Sequence, residues 1–311
     1  MGWKEINFKI YATEVKRNLN IGVADEIIKK DLILTFILAE LEKANLGKDI
    51  IFKGGTLLSR NCLKYHRFSE DLDFVFKDSN LIRDLPRKTR ERKVKTFLDT
   101  FVPKLKEVAD ALGLDFSTNR GDKKYCRMLT GRTVYTFKLY YSESQFIKIE
   151  INFIEKLIDK TQEVSICAIT DLFDSKKLLS DLNLSCENFK VQSYSLREII
   201  LEKYRAILTR KNFQERDLFD LFLIKDSLNV NINEVVEKIK ASCLIKKDLN
   251  GLITEKLNLL SQGKFFESRE KIASLAIVQY LPDSFDEFKL KIKPILIDIC
   301  NKFIEENKRE K

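Results

Sequence analysis

Asp71 and Asp73 stand one residue apart inside an apolar run, alternating with Leu72, Phe74 and Phe76. On an extended strand, residues two positions apart share a face, so both carboxylates project to the same side. Carboxylates placed in this way repel one another unless a cation lies between them. Ligation by oxygen alone suits Mg²⁺ or Mn²⁺. Upstream, Gly54-Gly55-Thr56 closes a second short apolar run, Ile50-Ile51-Phe52-Lys53. Glycine lets a backbone approach an anion without obstruction by a Cβ. A helix starting there adds unpaired N–H groups and a favourable dipole. A divalent cation beside a glycine turn points to a nucleotide phosphate, with Gly54, Gly55, Thr56 and Ser69 as candidate contacts. Ser69 either touches the phosphate or caps a turn before the strand.

A third carboxylate completes the pattern. The run Phe146 to Phe153 alternates Ile147, Ile149, Ile151 and Phe153 with Lys148, Glu150 and Asn152. Glu150 is therefore a candidate metal ligand, although pairing with Lys148 or Lys138 explains it equally simply. Three carboxylates on adjacent strands hold two Mg²⁺ ions about 3.5–4 Å apart, one at an attacking hydroxyl and one at a triphosphate. Such ions lower the nucleophile's pKa and stabilise an in-line transition state. Lys203 has Ile199, Ile200, Ala206 and Ile207 at helical spacing around it, which places its ammonium on the inward stripe of a helix. It either snorkels outward or reaches a cleft to meet phosphate. Asp217 is a candidate to orient Lys203 or Arg216 toward nucleotide, whereas Asp220 has the i, i+4 spacing for an intrahelical pair with Arg216. His66, the single histidine, serves as a base or makes a local polar contact.

These groups need a scaffold. Residues 23–45 repeat apolar positions at helical spacing, and Ile50 to Lys53 reads as a strand ending at the glycines. Thr56 is a possible N-cap for a helix to Leu63. Phe68 to Phe76 reads as the next strand. A basic amphipathic helix follows, with Val94, Phe97, Leu98, Phe101 and Val102 on one stripe and Pro103 as a possible kink. Further strands are expected at Tyr125 to Leu129, Val134 to Tyr141, Phe146 to Phe153 and Gln162 to Ile169. From Ser195 onward the pattern is helical, over Leu196–Leu208, Glu215–Lys225, Ile232–Cys243, Leu249–Leu260, Glu267–Leu281 and Phe285–Phe303, with Pro294 expected to split or kink the last. The fold class is α+β: a mixed β-sheet core flanked by helices over residues 1–190, then an all-helical domain over 191–311.

Composition narrows the class of function. Of 311 residues, 44% are hydrophobic, enough for a real core, and the formal charge is +9. Nine Lys or Arg against three acidic residues lie between Arg83 and Lys106. Such a block attracts polyanions, and the alternative is a solvated basic face. No stretch approaches the roughly 20 apolar residues of a membrane span. The N-terminal residues also lack an apolar signal core, so a cytoplasmic protein without membrane attachment is expected. The six cysteines, Cys62, Cys126, Cys167, Cys186, Cys243 and Cys300, show no C-x-x-C spacing and are expected to be reduced structural thiols.

Phe52-Lys53-Gly54-Gly55-Thr56-x-Leu58, followed by Arg67-Phe68-Ser69-Glu70-Asp71-Leu72-Asp73-Phe74, resembles the AbiEii/AbiGii-type toxin branch of the DNA polymerase β-like nucleotidyltransferases. Ile149-Glu150-Ile151 is similar to that family's second motif. Glu202-Lys203-Tyr204-Arg205-Ala206 is similar to its third, and Arg216-Asp217-Leu218-Phe219-Asp220 to its fourth. The resemblance implies a nucleotidyltransferase core whose helical C-terminal domain contributes Lys203 and Asp217 to the cleft. It implies Mg²⁺-dependent transfer of NMP from NTP with release of pyrophosphate. Asp71 and Asp73 would bind metal, Lys203 the triphosphate, and Asp217 would support the nucleotide site; the third carboxylate varies within the family. Some relatives modify the acceptor end of tRNA in toxin–antitoxin or phage-defence systems, so an RNA acceptor, a tRNA, and a cognate antitoxin are the implied partners. A protein hydroxyl or a small molecule as acceptor, or a non-catalytic nucleotide-binding protein, remain open alternatives.

Overall fold

The computed structural model describes residues 6–184, 189–241, 248–267 and 284–309. It divides into two compact units. The first comprises Met1–Glu155 with Thr161–Tyr194, and the second Lys156–Lys160 with Ser195–Lys311.

The first unit is built on a seven-stranded mixed sheet. In chain order its elements are α1 (Phe8–Leu19), α2 (Asp25–Lys43), β1 (Ile50–Lys53), α3 (Gly54–Leu57), β2 (Asp71–Phe76), α4 (Ser79–Arg83), α5 (Arg87–Ala111), β3 (Cys126–Leu129), β4 (Val134–Tyr140), β5 (Phe146–Asn152), β6 (Gln162–Ser165), α6 (Lys176–Asp181) and β7 (Lys190–Ser193). The strand order is β3-β4-β5-β2-β1-β7-β6. β2 pairs parallel with β5 and β1 parallel with β7, while the remaining neighbours are antiparallel.

One face of this sheet is apolar because alternation sends Leu72, Phe74 and Phe76 to it from β2 and Ile147, Ile149 and Ile151 from β5. α5 packs there: Phe97 lies 5.0 Å from Phe76 and 5.4 Å from Phe153 between ring centroids, and Phe101 lies 5.9 Å from Phe137. The other face receives Asp71 and Asp73. α5 runs unbroken through Pro103, whose side is solvent-exposed while Phe101, Val102 and Leu105 are buried. The expected kink therefore falls on a helix held by packing on its opposite side.

The second unit is helical: α7 (Leu196–Thr209), α8 (Glu215–Leu223), α9 (Ile232–Ala241), α10 (Leu249–Ser261) and α11 (Ser284–Arg309). α11 is one helix across Pro294, with Ile292 and Leu296 on either side of it buried. The helix expected over Glu267–Leu281 lies outside the described residues apart from Glu267, as do Cys186 and Cys243. Cys62, Cys126, Cys167 and Cys300 are free thiols. Among the described residues no helix is long and apolar enough to cross a membrane.

Candidate active site

Register builds the centre of the site. Asp73 is directly opposite Glu150 of β5 on one side and Lys53 of β1 on the other, and Asp71 is opposite Lys148. Residues paired across a ladder share a face, so Asp71, Asp73, Glu150, Lys148 and Lys53 converge on one patch of sheet. The glycine turn closes against it. Gly54 has φ +84°, a left-handed value that favours glycine, and a Cβ there would fall 2.6 Å from Asp73 Oδ2. A Cβ on Gly55 would fall 2.6 Å from Arg67 Nη2 and 3.2 Å from Ser69 Oγ. The glycines thus make room for three side chains of the Arg67–Asp73 segment.

Thr56 is not an N-cap. The helix begins at Gly54, its N-cap position is Lys53 without a side-chain cap, and the turn continues as a π-helical segment, Leu58–Cys62. The buried Thr56 hydroxyl instead reaches across to β2, donating to the Asp71 carbonyl at 2.5 Å, with Ser69 Oγ 2.9 Å away. A hydroxyl within the first helical turn was free to do this because the glycines had already set the helix start. Arg67 is buried and donates from Nη1 to the Phe68 carbonyl at 2.9 Å. His66 is exposed, and its Nδ1 meets the Leu63 carbonyl.

Charge is balanced locally. Lys148 Nζ is 2.9 Å from Asp71 Oδ2 and 4.0 Å from Glu150 Oε2. Burial opposes its charge, but Asp71, Asp73 and Glu150 outweigh that, and its pKa is raised. Burial, and then repulsion from Asp73, raises the Glu150 carboxyl above its ordinary value. Lys53 pairs with Glu155, which also accepts from Tyr194 OH at 2.7 Å and Asn152 Nδ2 at 3.2 Å. The polar residues of this face therefore form two linked ion-pair sets, around Lys148 and around Lys53.

In the second unit, Lys203 is on the inward side of α7, nearly buried, with Nζ 2.8 Å from Asp217 Oδ1 and 2.6 Å from Asp220 Oδ2 on α8. Asp220, wholly buried, is thus a partner of Lys203. Asp217 Oδ2 accepts from Arg210. Burial pushes the Asp217 carboxyl up, but Lys203 and Arg210 pull harder and hold it below the usual carboxylate range. Two cations and two carboxylates make this cluster formally neutral.

The donor set on β2 and β5 fits a hard divalent cation. It is oxygen-only and already draws an ammonium in among the carboxylates. Among the described residues, no three His, Cys, Asp or Glu side chains are gathered into a ready-made metal cluster. Sequence reasoning gives no role to Arg67, Lys53, Glu155 or Arg210. Lys148 was legible by its i, i+2 spacing to Glu150, and Lys53 by standing at the strand end before the glycines. Arg210 and Glu155 lie outside any periodic element, and only folding reveals their partners.

The family model described as nucleotidyl transferase AbiEii toxin, type IV toxin–antitoxin system, matches residues 37–291, which include every candidate site residue. Among solved structures, MenT4, a nucleotidyltransferase toxin from Mycobacterium tuberculosis H37Rv, is similar over 94% of this chain and 98% of its own, with 15% identity and a TM-score of 0.51. JHP933 from Helicobacter pylori is similar over 93% of this chain and 97% of its own, with 14% identity and a TM-score of 0.42. No curated protein matches.

Proposed function

The chain belongs to the AbiEii family of nucleotidyltransferase toxins of type IV toxin–antitoxin systems, and we propose that it transfers NMP from NTP onto an RNA acceptor, a tRNA, in a metal-dependent reaction. One observation carries the proposal: Asp71 and Asp73 share a strand face with Glu150, and a glycine turn whose missing Cβ atoms leave space abuts them.

Asp71 and Asp73, with Glu150 from β5, would hold Mg²⁺ or Mn²⁺; bound there, the ion supplies charge stabilisation for the transferring phosphoryl group. Gly54 and Gly55 present backbone to the triphosphate, while Thr56 and Ser69 fix that backbone to β2. Lys148 and Lys53 keep positive charge beside the carboxylates, which supports phosphate entry into a patch that is otherwise negative. Lys203 would contribute to triphosphate binding, with Asp217 orienting it. The basic charge balance supports a polyanionic acceptor. Family membership supports a cognate antitoxin as counterpart, and with an RNA acceptor the reaction would act in the cytoplasm against translation or in phage defence.

Incubating the chain with each labelled NTP, Mg²⁺, total RNA and total protein tests this. Label on tRNA is the expected result. Label on protein would replace the acceptor, and no label in any fraction, with no pyrophosphate released, would leave a non-catalytic nucleotide-binding protein.

A further inference from the structure

The face that carries Asp71, Asp73 and Glu150 extends beyond them across β5, β4 and β3. Lys138 is opposite Lys148 and Tyr140 opposite Phe146, while Arg127 is opposite Thr136, which is itself opposite Glu150. These residues therefore share the carboxylate face. The Tyr140 ring lies 5.2 Å from Phe146 and 5.8 Å from Tyr125 between centroids. Lys138 Nζ stands 4.6 Å over Phe146, and Lys124 Nζ 5.0 Å over Tyr140. All three rings are partly exposed, and Arg127 and Lys124 are exposed. The core aromatics Phe76, Phe97, Phe101, Phe137 and Phe153 lie on the opposite face with α5. Core packing accounts for one face of the sheet; on this one Tyr125 also meets the buried Phe116, 6.2 Å between centroids, while Tyr140 and Phe146 lie side by side, partly exposed.

We propose that this strip of aromatic rings and cations is the docking surface for the single-stranded end of the RNA acceptor, leading it across the sheet toward Asp71 and Asp73. It rests on the RNA-acceptor reading above. Unpaired bases stack on aromatic side chains whatever their identity, and interleaved cations follow the phosphates. Charge complementarity favours a nucleic acid: Arg127, Lys138 and Lys148 line the strip, and Asp115 at its outer end is already bonded to Lys124 and Tyr125 OH. Rings spaced like these accept splayed bases, not a duplex, whose bases have no free faces. The basic exposed side of α5, at first sight the better polyanion site, belongs to a helix seated on the other face of the sheet. On this proposal it is not where the acceptor end lies.

The test uses the full chain and a fluorescein-labelled single-stranded RNA octamer, with affinity read by anisotropy at low salt. Three variants are compared: Tyr140→Leu with Phe146→Leu, Lys138→Gln alone, and Lys88→Gln with Lys93→Gln and Lys95→Gln on α5. The ring variant is expected to lose about tenfold or more in affinity, with its melting temperature and NTP binding kept. Lys138→Gln, which removes no ring, should lose several-fold and flatten the salt dependence, while the α5 variant stays within twofold. Wild-type affinity in both strip variants, with the loss appearing in the α5 variant, would overturn the proposal and leave the RNA reading intact. A wild-type chain that neither binds the octamer nor labels any RNA, yet labels protein, would end both together.

Discussion

Asp71 and Asp73 need positive charge nearby, and Lys148 supplies it from the adjacent strand at 2.9 Å. Replacing either aspartate by asparagine keeps shape and removes charge. Asp71→Asn and Asp73→Asn are expected to lower nucleotidyl transfer by more than about 100-fold, the scale of lost preorganised electrostatics, with melting temperature nearly unchanged. Full activity in both would remove the metal site. The two glycines separate in the same way. Alanine at Gly54 meets both a left-handed φ, worth about 1–2 kcal/mol, and the Asp73 carboxylate; alanine at Gly55 meets Arg67 Nη2 and Ser69 Oγ without the left-handed φ. Gly54→Ala should therefore cost more activity than Gly55→Ala, as measured by pyrophosphate release, and the reverse order would contradict the geometry.

Elements are held in register by buried ion pairs. The π-helical segment after α3 is anchored to α2 by Arg60, whose guanidinium donates to Asp31 Oδ1 at 2.7 Å, to the Asp31 carbonyl at 2.8 Å and to Thr35 at 2.8 Å. Both ionic side chains are almost fully buried, and burial raises the Asp31 carboxyl. Arg60→Met strands that carboxylate and should destabilise the chain by about 3–5 kcal/mol; Arg60→Met with Asp31→Leu should recover most of it in urea unfolding. In the helical unit, Asp217 ties α7 to α8 with its pKa held low by Lys203 and Arg210. A depressed carboxylate contributes stability above its unfolded value of about 3.9, and that contribution is lost as pH falls through the native value. The melting difference between wild type and Asp217→Asn, about 2 kcal/mol near neutrality, should thus close below about pH 4. A gap that widens in acid would reverse the sign of the linkage.

For the whole molecule, a charge of +9 makes any RNA complex salt-sensitive. With about four phosphate contacts at a slope near −0.7 each, affinity for single-stranded RNA should fall roughly 50-fold between about 50 and 200 mM salt; a flat response would separate the charge from the acceptor. Alternation made β2 and β5 legible directly from residue types, because a period of two is a local property of a pleated strand. The same rule put Asp71, Asp73 and Glu150 on one side each, and helical period turned Lys203 inward. The sheet order was not legible. β7 (Lys190–Ser193) has a single apolar residue, Val191, yet it joins the sheet through parallel pairing with β1 from far along the chain. Nor could Thr56's reach to the Asp71 carbonyl, or the clearance Asp73 needs at Gly54, be read from spacing, since each joins segments separated by a turn. Residue type and period alone determined which side chains could do chemistry and which face each must take. Pairing between distant strands, a matter of register and packing that no short window contains, decided that these faces meet.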